Sequence, residues 1–408
     1  MNQRLWICCQ LGARQHYAVP RALASTGQLA ALITDVWAPP GSNFRRLPDW
    51  GSLRNVKERF HPALAEVPVL SDNLSAIAFE SVHRTLHTSE WPRIMARNRA
   101  YQRWVIKHLE RLGPALEGKR VTLFAYSYAA LEILRYARDQ GWQTVLEQID
   151  PGPAETNIVR MECTREYRLC SSWEPPPAGY WRLWREECEL ADTIVVNSQW
   201  TLDCVQEAGV RAAKMKLIPL AYQPSSPVAL PPKEYPERFT AERPLRVLFL
   251  GQINLRKGVA RLLEAAKTLR QEPIEFQMVG PLQFDHVPTT LDDCRIRWLG
   301  PVSRGNAKNF YREADLFILP TLSDGFALTQ LEALANRLPV IASKFCGAVV
   351  RDGVDGRILP SPTANEIVVA LRECLREPAR LAAWSEAATV QPKFSLASLA
   401  YNLAELTY

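Results

Sequence analysis

The sequence predicts an α/β chain built as two doubly wound, Rossmann-like domains, and three observations carry that expectation. First, 408 residues are more than one hydrophobic core usually organises, so about two domains are expected. Second, short apolar runs alternate with segments of helical spacing along most of the chain, the order in which parallel sheets are built. Third, residues 223–244 collect Pro224, Pro227, Pro231, Pro232 and Pro236 among charged residues with few apolar neighbours, the composition of a linker. The chain therefore divides into residues 1–222, a linker over 223–244, and residues 245–392.

Composition removes several classes. No apolar run approaches the roughly 20 residues that span a bilayer. The apolar start Leu5-Trp6-Ile7-Cys8-Cys9 is broken by Gln10 too early for a signal peptide, so it reads as a first buried strand, and a cytoplasmic protein is expected. Nine cysteines stand without a Cys-x-x-Cys pair or a histidine at metal spacing, so neither a disulfide framework nor a zinc site is indicated and no metal or other cofactor is expected. The net charge of +6 is uneven, with 17 Lys and Arg against 9 Asp and Glu in residues 1–120. No nucleic-acid recognition motif accompanies that surface. An anionic membrane at the inner face, or an anionic acceptor, fits it better.

In the first domain the strand over 5–9 leads through Gln10–Tyr17 into helical spacing at Val19, Leu23 and Leu29, then a strand over 31–33. This βαβ opening lacks G-x-G-x-x-G, which removes the main support for a nicotinamide or flavin enzyme. Residues 38–92 read as loops with short helices over 56–60 and 76–85. A basic amphipathic helix follows over 93–112, with Ile94, Tyr101, Val105, Leu109 and Leu112 near one face and Arg97, Arg99, Arg103, Lys107 and Arg111 around the rest. The plainer alternative is a helix whose charges are merely solvated. A strand over 121–124, a helix over 131–138 and a strand over 144–149 come next, the last ending in Asp150-Pro151-Gly152-Pro153. Residues 154–180 read as a polar, proline-punctuated loop, followed by a helix over 181–190, an apolar strand ending in Asn197-Ser198, a helix over 200–208 and a strand over 215–219.

The second domain opens with a strand over 246–250 and the loop from Gly251 to Gly258, then a helix over 259–270. Arg256 and Lys257 at the mouth of a helix after a strand suit a diphosphate, because two cations and free N–H groups converge on one anion; the plainer alternative is a pair of exposed helix-entry residues. Strands over 275–279 and 297–299 follow. Next come a strand over 316–319, apolar residues at helical spacing (Phe326, Leu328, Leu331, Leu334, Ala335), and a strand over 340–342. Between that strand and helix lies Ser323-Asp324-Gly325-Phe326, where a parallel sheet opens onto its ligand crevice, and Glu332 stands eight positions after Asp324. The helix N–H groups suit a phosphate and the carboxylates suit sugar hydroxyls, which together suggest a nucleotide-sugar. The plainer alternative makes Asp324 an N-cap and Glu332 a solvated helix residue. Helices over 366–375, 381–388 and 395–406 finish the chain.

An acid followed by Gly-Phe, a second acid eight positions on, Glu-Ala and then Leu-Pro-Val-Ile-Ala together resemble the donor-site signature of the retaining family-4 glycosyltransferases of GT-B fold. The resemblance is strong over most of 180–375 and loose before it. It implies two domains facing a cleft, with a last helix over 393–408 returning to the first domain. It also implies transfer of a sugar from a nucleotide-sugar to a glycan or lipid-linked acceptor, with retention. Glu332 would bind the ribose, Asp324 the transferred sugar, Gly325, Phe326 and Ala327 the sugar and phosphate, and Val302 and Gly251 the rest of the donor, with Arg256 and Lys257 on the diphosphate. Asp324 stands where Glu is usual, Ala327 where glycine is usual, and Gln252 where an arginine is usual. The resemblance turns the first loop toward the acceptor, which makes Arg14 and His16 candidates, unless they merely decorate a helix start. Glu147 and Asp150 are the acids placed to meet an acceptor hydroxyl, unless Asp150 only initiates a turn. A sugar-nucleotide epimerase on the same fold and a non-catalytic nucleotide-sugar-binding protein are the rivals.

Overall fold

A computed structural model describes residues 4–46, 56–85, 89–170, 172–224, 230–285 and 295–406. Among them the strands form two sheets, parallel throughout. The first holds β1 (Leu5–Gln10), β2 (Leu29–Thr34), β3 (Val69–Ser71), β4 (Val121–Tyr126), β5 (Gln143–Gln148), β6 (Thr193–Val196) and β7 (Met215–Leu217), in the order β3-β2-β1-β4-β5-β6-β7. The second holds β8 (Leu245–Leu250), β9 (Ile274–Val279), β10 (Ile296–Gly300), β11 (Leu316–Leu319), β12 (Val340–Ser343) and β13 (Gly356–Leu359), in the order β10-β9-β8-β11-β12-β13. Each sheet reverses its winding once, between β1 and β4 and between β8 and β11. Those reversals open the crevices in which such sheets hold ligands.

Helices cover both faces of each sheet, so the central strands read as continuous apolar runs. Through α1 (Ala18–Ser25), α2 (Asn73–Thr85), α3 (Glu90–Leu116), α4 (Leu131–Asp139), α5 (Pro153–Arg165), α6 (Ala178–Leu190) and α7 (Gln199–Glu207) the chain wraps the first sheet. Alternation along β1 sorts its side chains: Ile7 and Cys9 join Tyr101, Val105, Ile133 and Trp184 on one face, while Trp6 and Cys8 join Leu23 on the other. The second sheet carries α8 (Val259–Thr268), α9 (Arg304–Glu313), α10 (Thr329–Ala335), α11 (Ala364–Arg376) and α12 (Pro378–Ala387). The last helix, α13 (Leu396–Glu405), places Leu399, Ala400 and Leu403 in the first sheet's core beside Trp6 and Leu23.

Several expectations are corrected. Leu29 opens β2 instead of continuing a helix, because α1 stops at Ser25 and Gly27 turns the chain with a left-handed φ of 68°. Residues 153–165 are a helix and not a loop; Pro153 sits at its start, where a missing N–H costs nothing. The short strand β3 lies inside the stretch read as loops. From Lys233 onward the expected linker packs on the second sheet: Phe239 is buried in its core with Tyr235 against it, and Arg243 holds Asp315 through two bonds of 2.6 Å. Residues 47–55 of the loop stretch and 225–229 of the linker, Pro227 included, lie outside the described residues. On α3, Arg99, Arg103, Lys107 and Arg111 are exposed as expected, but Arg97 turns inward and lines a cavity. Among the described residues no helix is long and apolar enough to cross a membrane.

Candidate active site

Beyond β8 the chain enters a single 3-10 turn, Leu255–Lys257, whose start is capped by Asn254 accepting from the Lys257 N–H at 3.1 Å. Gly258 ends the turn and releases α8. The loop after β11 is tied to this turn, since Leu322 N–H and Thr321 Oγ1 donate to the Arg256 carbonyl at 2.8 and 3.1 Å. The Lys257 ammonium consequently lies against the Asp324 carboxylate, and the Arg256 guanidinium stands 3.9 Å from it. Asp324 is therefore no cap for α10, which begins five residues later behind Leu328; its second oxygen accepts from the Phe326 N–H at 3.3 Å. Burial, with Arg256 adding repulsion and Glu155 opposing it, pushes the Lys257 ammonium down to about 7.

The remaining donor candidates separate. Glu332 lies in the first turn of α10 and accepts from the Tyr311 hydroxyl at 2.8 Å; with Arg304 it lines a cavity of about 260 Å³. Phe326 is core, edge-on to Phe394 at 5.8 Å. Ala327 holds a left-handed φ of 64°, the conformation glycine adopts without penalty, which explains why glycine is usual there. The Gly251 N–H is already donated to Val279 at 2.9 Å, and Val302 packs on the core near Tyr311, so neither meets Asp324.

Across the cleft the first domain reaches the same loops. A Cβ on Gly325 would lie 2.3 Å from the Ile149 carbonyl oxygen, so only glycine permits this approach. Trp200 Nε1 donates to Ser323 Oγ at 3.2 Å. Glu155 of α5 accepts from Ser323 Oγ at 3.1 Å and pairs with Arg256 at 3.4 Å; burial lifts its carboxyl to about 7 against the pull of Arg256. Asp150 shares a cavity of about 680 Å³ with Glu155 and Arg256 and accepts from the Tyr128 hydroxyl at 2.5 Å and the Gly152 N–H at 2.9 Å. It thus both shapes a turn and faces the cleft. Glu147 is buried, takes a hydrogen bond from Gln15, and is lifted to about 7 by that burial. Arg14 lies over the Tyr126 ring at 5.6 Å beside it. His16 enters this network through its carbonyl, which accepts from Arg21 at 3.4 Å, and Gln15, His16 and Tyr17 all hold φ between 50° and 59°. Among the described residues no group of three or more His, Cys, Asp or Glu is placed to hold a metal ion.

Residues 233–391 match the family model described as glycosyl transferases group 1. The match covers the second sheet and its helices. Among curated relatives, an uncharacterised 41.2 kDa protein in the cps region of Klebsiella pneumoniae is 25% identical over 43% of this chain and 50% of its own length. The amylovoran biosynthesis glycosyltransferase AmsK of Erwinia amylovora is 27% identical over 33% of this chain and 39% of its own. The alignments thus span half or less of these relatives. A solved structure of Anabaena HepE in complex with UDP-glucose superposes with a TM-score of 0.59 at 14% identity, covering 99% of this chain and 98% of that one. The fold is GT-B.

Two features of this glycosyl transferase fold escape the sequence reading. Glu155 joins Arg256 across 101 positions of chain, and the segment holding it had no apolar stripe to mark a helix. The 680 Å³ cavity is also walled by Trp91, Tyr128, Tyr180 and Trp181, with Tyr128 and Tyr180 stacked at 5.0 Å and 17°. The density of tryptophan and tyrosine between 173 and 184 was the available signal. Flat apolar rings beside Asp150 and Glu155 suit a ligand with apolar faces and many hydroxyls, such as a sugar.

Proposed function

We propose that this protein moves a sugar from a nucleotide-sugar to a glycan or lipid-linked acceptor, with retention of anomeric configuration. The observation that carries the reading is the buried cluster of Asp324, Lys257 and Arg256 at the winding reversal of the second sheet. Asp324 neutralises Lys257. A bound diphosphate would take over that cation and Arg256, leaving Asp324 free to accept from a sugar hydroxyl. Glu332, in the neighbouring cavity with Arg304, would accept from the ribose. Departure of the diphosphate is then helped by fixed positive charge, and catalysis is electrostatic and positional. The acceptor would lie along the aromatic cavity and the Arg14–Glu147 network. No metal or other cofactor is invoked.

The test is mass spectrometry of UDP-glucose incubated with the protein, with and without a panel of glycan and lipid-linked acceptors. Acceptor-dependent release of UDP with a glycosylated product is expected. Conversion of the donor to an epimer without acceptor, or binding without any release, would refute transfer.

The exposed cations Arg99, Arg103, Lys107 and Arg111 of α3 support a peripheral seat on an anionic membrane, at the inner face of a cytoplasmic compartment. Each basic residue near such a leaflet contributes about 1 kcal/mol. Changing all four to glutamine is expected to lower co-sedimentation with anionic vesicles at least tenfold while UDP affinity stays within about twofold. Equal sedimentation of the native protein with neutral and anionic vesicles would remove this proposal.

A further inference from the structure

A second cavity, of about 640 Å³, lies between the loop after β1, the end of β2, and helices α2 and α3. Four guanidinium groups line it, from Arg14, Arg59, Arg93 and Arg97, against the two carboxylates of Asp35 and Glu80. Asp35 is already engaged, accepting from the Gly12 N–H at 2.9 Å and from Thr34 Oγ1 at 3.1 Å and pairing with Arg59 at 3.4 Å. Glu80 is the other carboxylate of the lining and acts on Arg97. The Nε atoms of Arg14 and Arg97 are enclosed and have no hydrogen-bond partner among the described residues. Packing four guanidinium groups around two carboxylates is costly, and an anion in the cavity would supply acceptors to the guanidinium edges that face it. Burial already weakens the hold of Arg97 on its proton, and Arg93 and Arg14 repel it further while Glu80 and Asp35 oppose the loss.

We propose that this cavity binds a phosphate group carried by the acceptor. The lining has an excess of two positive charges, which matches a phosphate dianion, and guanidinium forks meet phosphate oxygens two at a time. Arg14 joins the cavity to the Glu147 and Tyr126 network, so a phosphate held there would orient the rest of the acceptor toward the cleft. The proposal rests on the transferase reading for the word acceptor alone; the anion site stands on the cavity itself.

The test titrates inorganic phosphate and glycerol 3-phosphate calorimetrically into the full chain saturated with UDP, which blocks the Arg256 and Lys257 cradle. Saturable binding is expected, weakened about tenfold or more in Arg97→Met and severalfold in Arg93→Gln. Glu80→Gln should tighten it severalfold, a gain that a misfolded variant cannot imitate. No saturable binding by the native protein, or the same affinity in all three variants, would overturn the proposal. Retention on vesicles containing phosphatidic acid, above vesicles of equal charge made with phosphatidylserine and lost in Arg97→Met, would place the phosphate on a lipid. Binding of the soluble ester without that retention would place it on a water-soluble acceptor, and both outcomes support the site. UDP titrated alone is the separate control: if the native protein does not bind it, the donor reading fails, and the variant series repeated without UDP still decides the anion site.

Discussion

Alanine at both Arg256 and Lys257 is expected to lower turnover of a nucleotide-sugar by about two to four orders of magnitude. A hydrogen bond to a charged group contributes about 1.5–3 kcal/mol, and two lost together account for that range. Asp324 would be left buried at 9% exposure without its cations, so folding must be checked by a denaturation midpoint before the rate is interpreted. If the folded double variant keeps its rate within about threefold, the diphosphate is held elsewhere. The pH profile adds a sign. With its folded-state value brought down to about 7, Lys257 is charged below that pH and neutral above it. Capture of an anionic donor, read as kcat/KM, should therefore fall as pH rises through about 7. Lys257→Arg should remove that fall, since a guanidinium stays charged.

Gly258→Ala is expected to destabilise the second domain by about 3–5 kcal/mol. This residue joins the 3-10 turn to α8 with a left-handed φ of 72°, and a Cβ there would lie 1.8 Å from the Pro320 carbonyl oxygen. The backbone preference alone costs about 1 kcal/mol. The larger part comes from the overlap, because Pro320 is backbone at the end of β11 and cannot swing aside as a side chain would. Relief requires the turn and the β11 loop to separate, which would also part Lys257 from Asp324. Urea denaturation measures the loss; a cost below about 1 kcal/mol would mean that the two loops are not locked together.

How far the sequence could be read depended on the range of the interaction. The second domain's strand, helix and strand from Leu316 to Ser343 were legible because their periods are local and their turn holds Asp324 and Gly325. Lys257 and Asp324 were each legible as residues on loops that open onto the ligand crevice, but their ion pair was not. What could not be read was orientation and long-range pairing. On α3, Arg97 stands four residues before Tyr101 and so on the apolar face, unlike Arg99 and Arg103, but the cavity it enters depends on Arg14 and Asp35 arriving from other strands. Glu155 looked like one acid in a polar segment, and its burial, which raises its carboxyl, and its partners Ser323 and Arg256 come from far along the chain. Phe239 sat among prolines and charges, yet it is buried at 3% exposure, where a single apolar residue leaves no period to detect.

The central claim is that Glu332 serves the nucleotide and Asp324 serves the sugar, and calorimetry with UDP alone tests it most directly. Glu332→Ala should weaken UDP about ten- to a hundredfold, the loss expected when a carboxylate no longer accepts from the ribose hydroxyls. Asp324→Ala should leave UDP affinity within about threefold or tighten it, because its proposed partner is absent from UDP and its removal frees Lys257 from their ion pair. Equal losses in the two variants, or full UDP affinity in Glu332→Ala, would contradict the account.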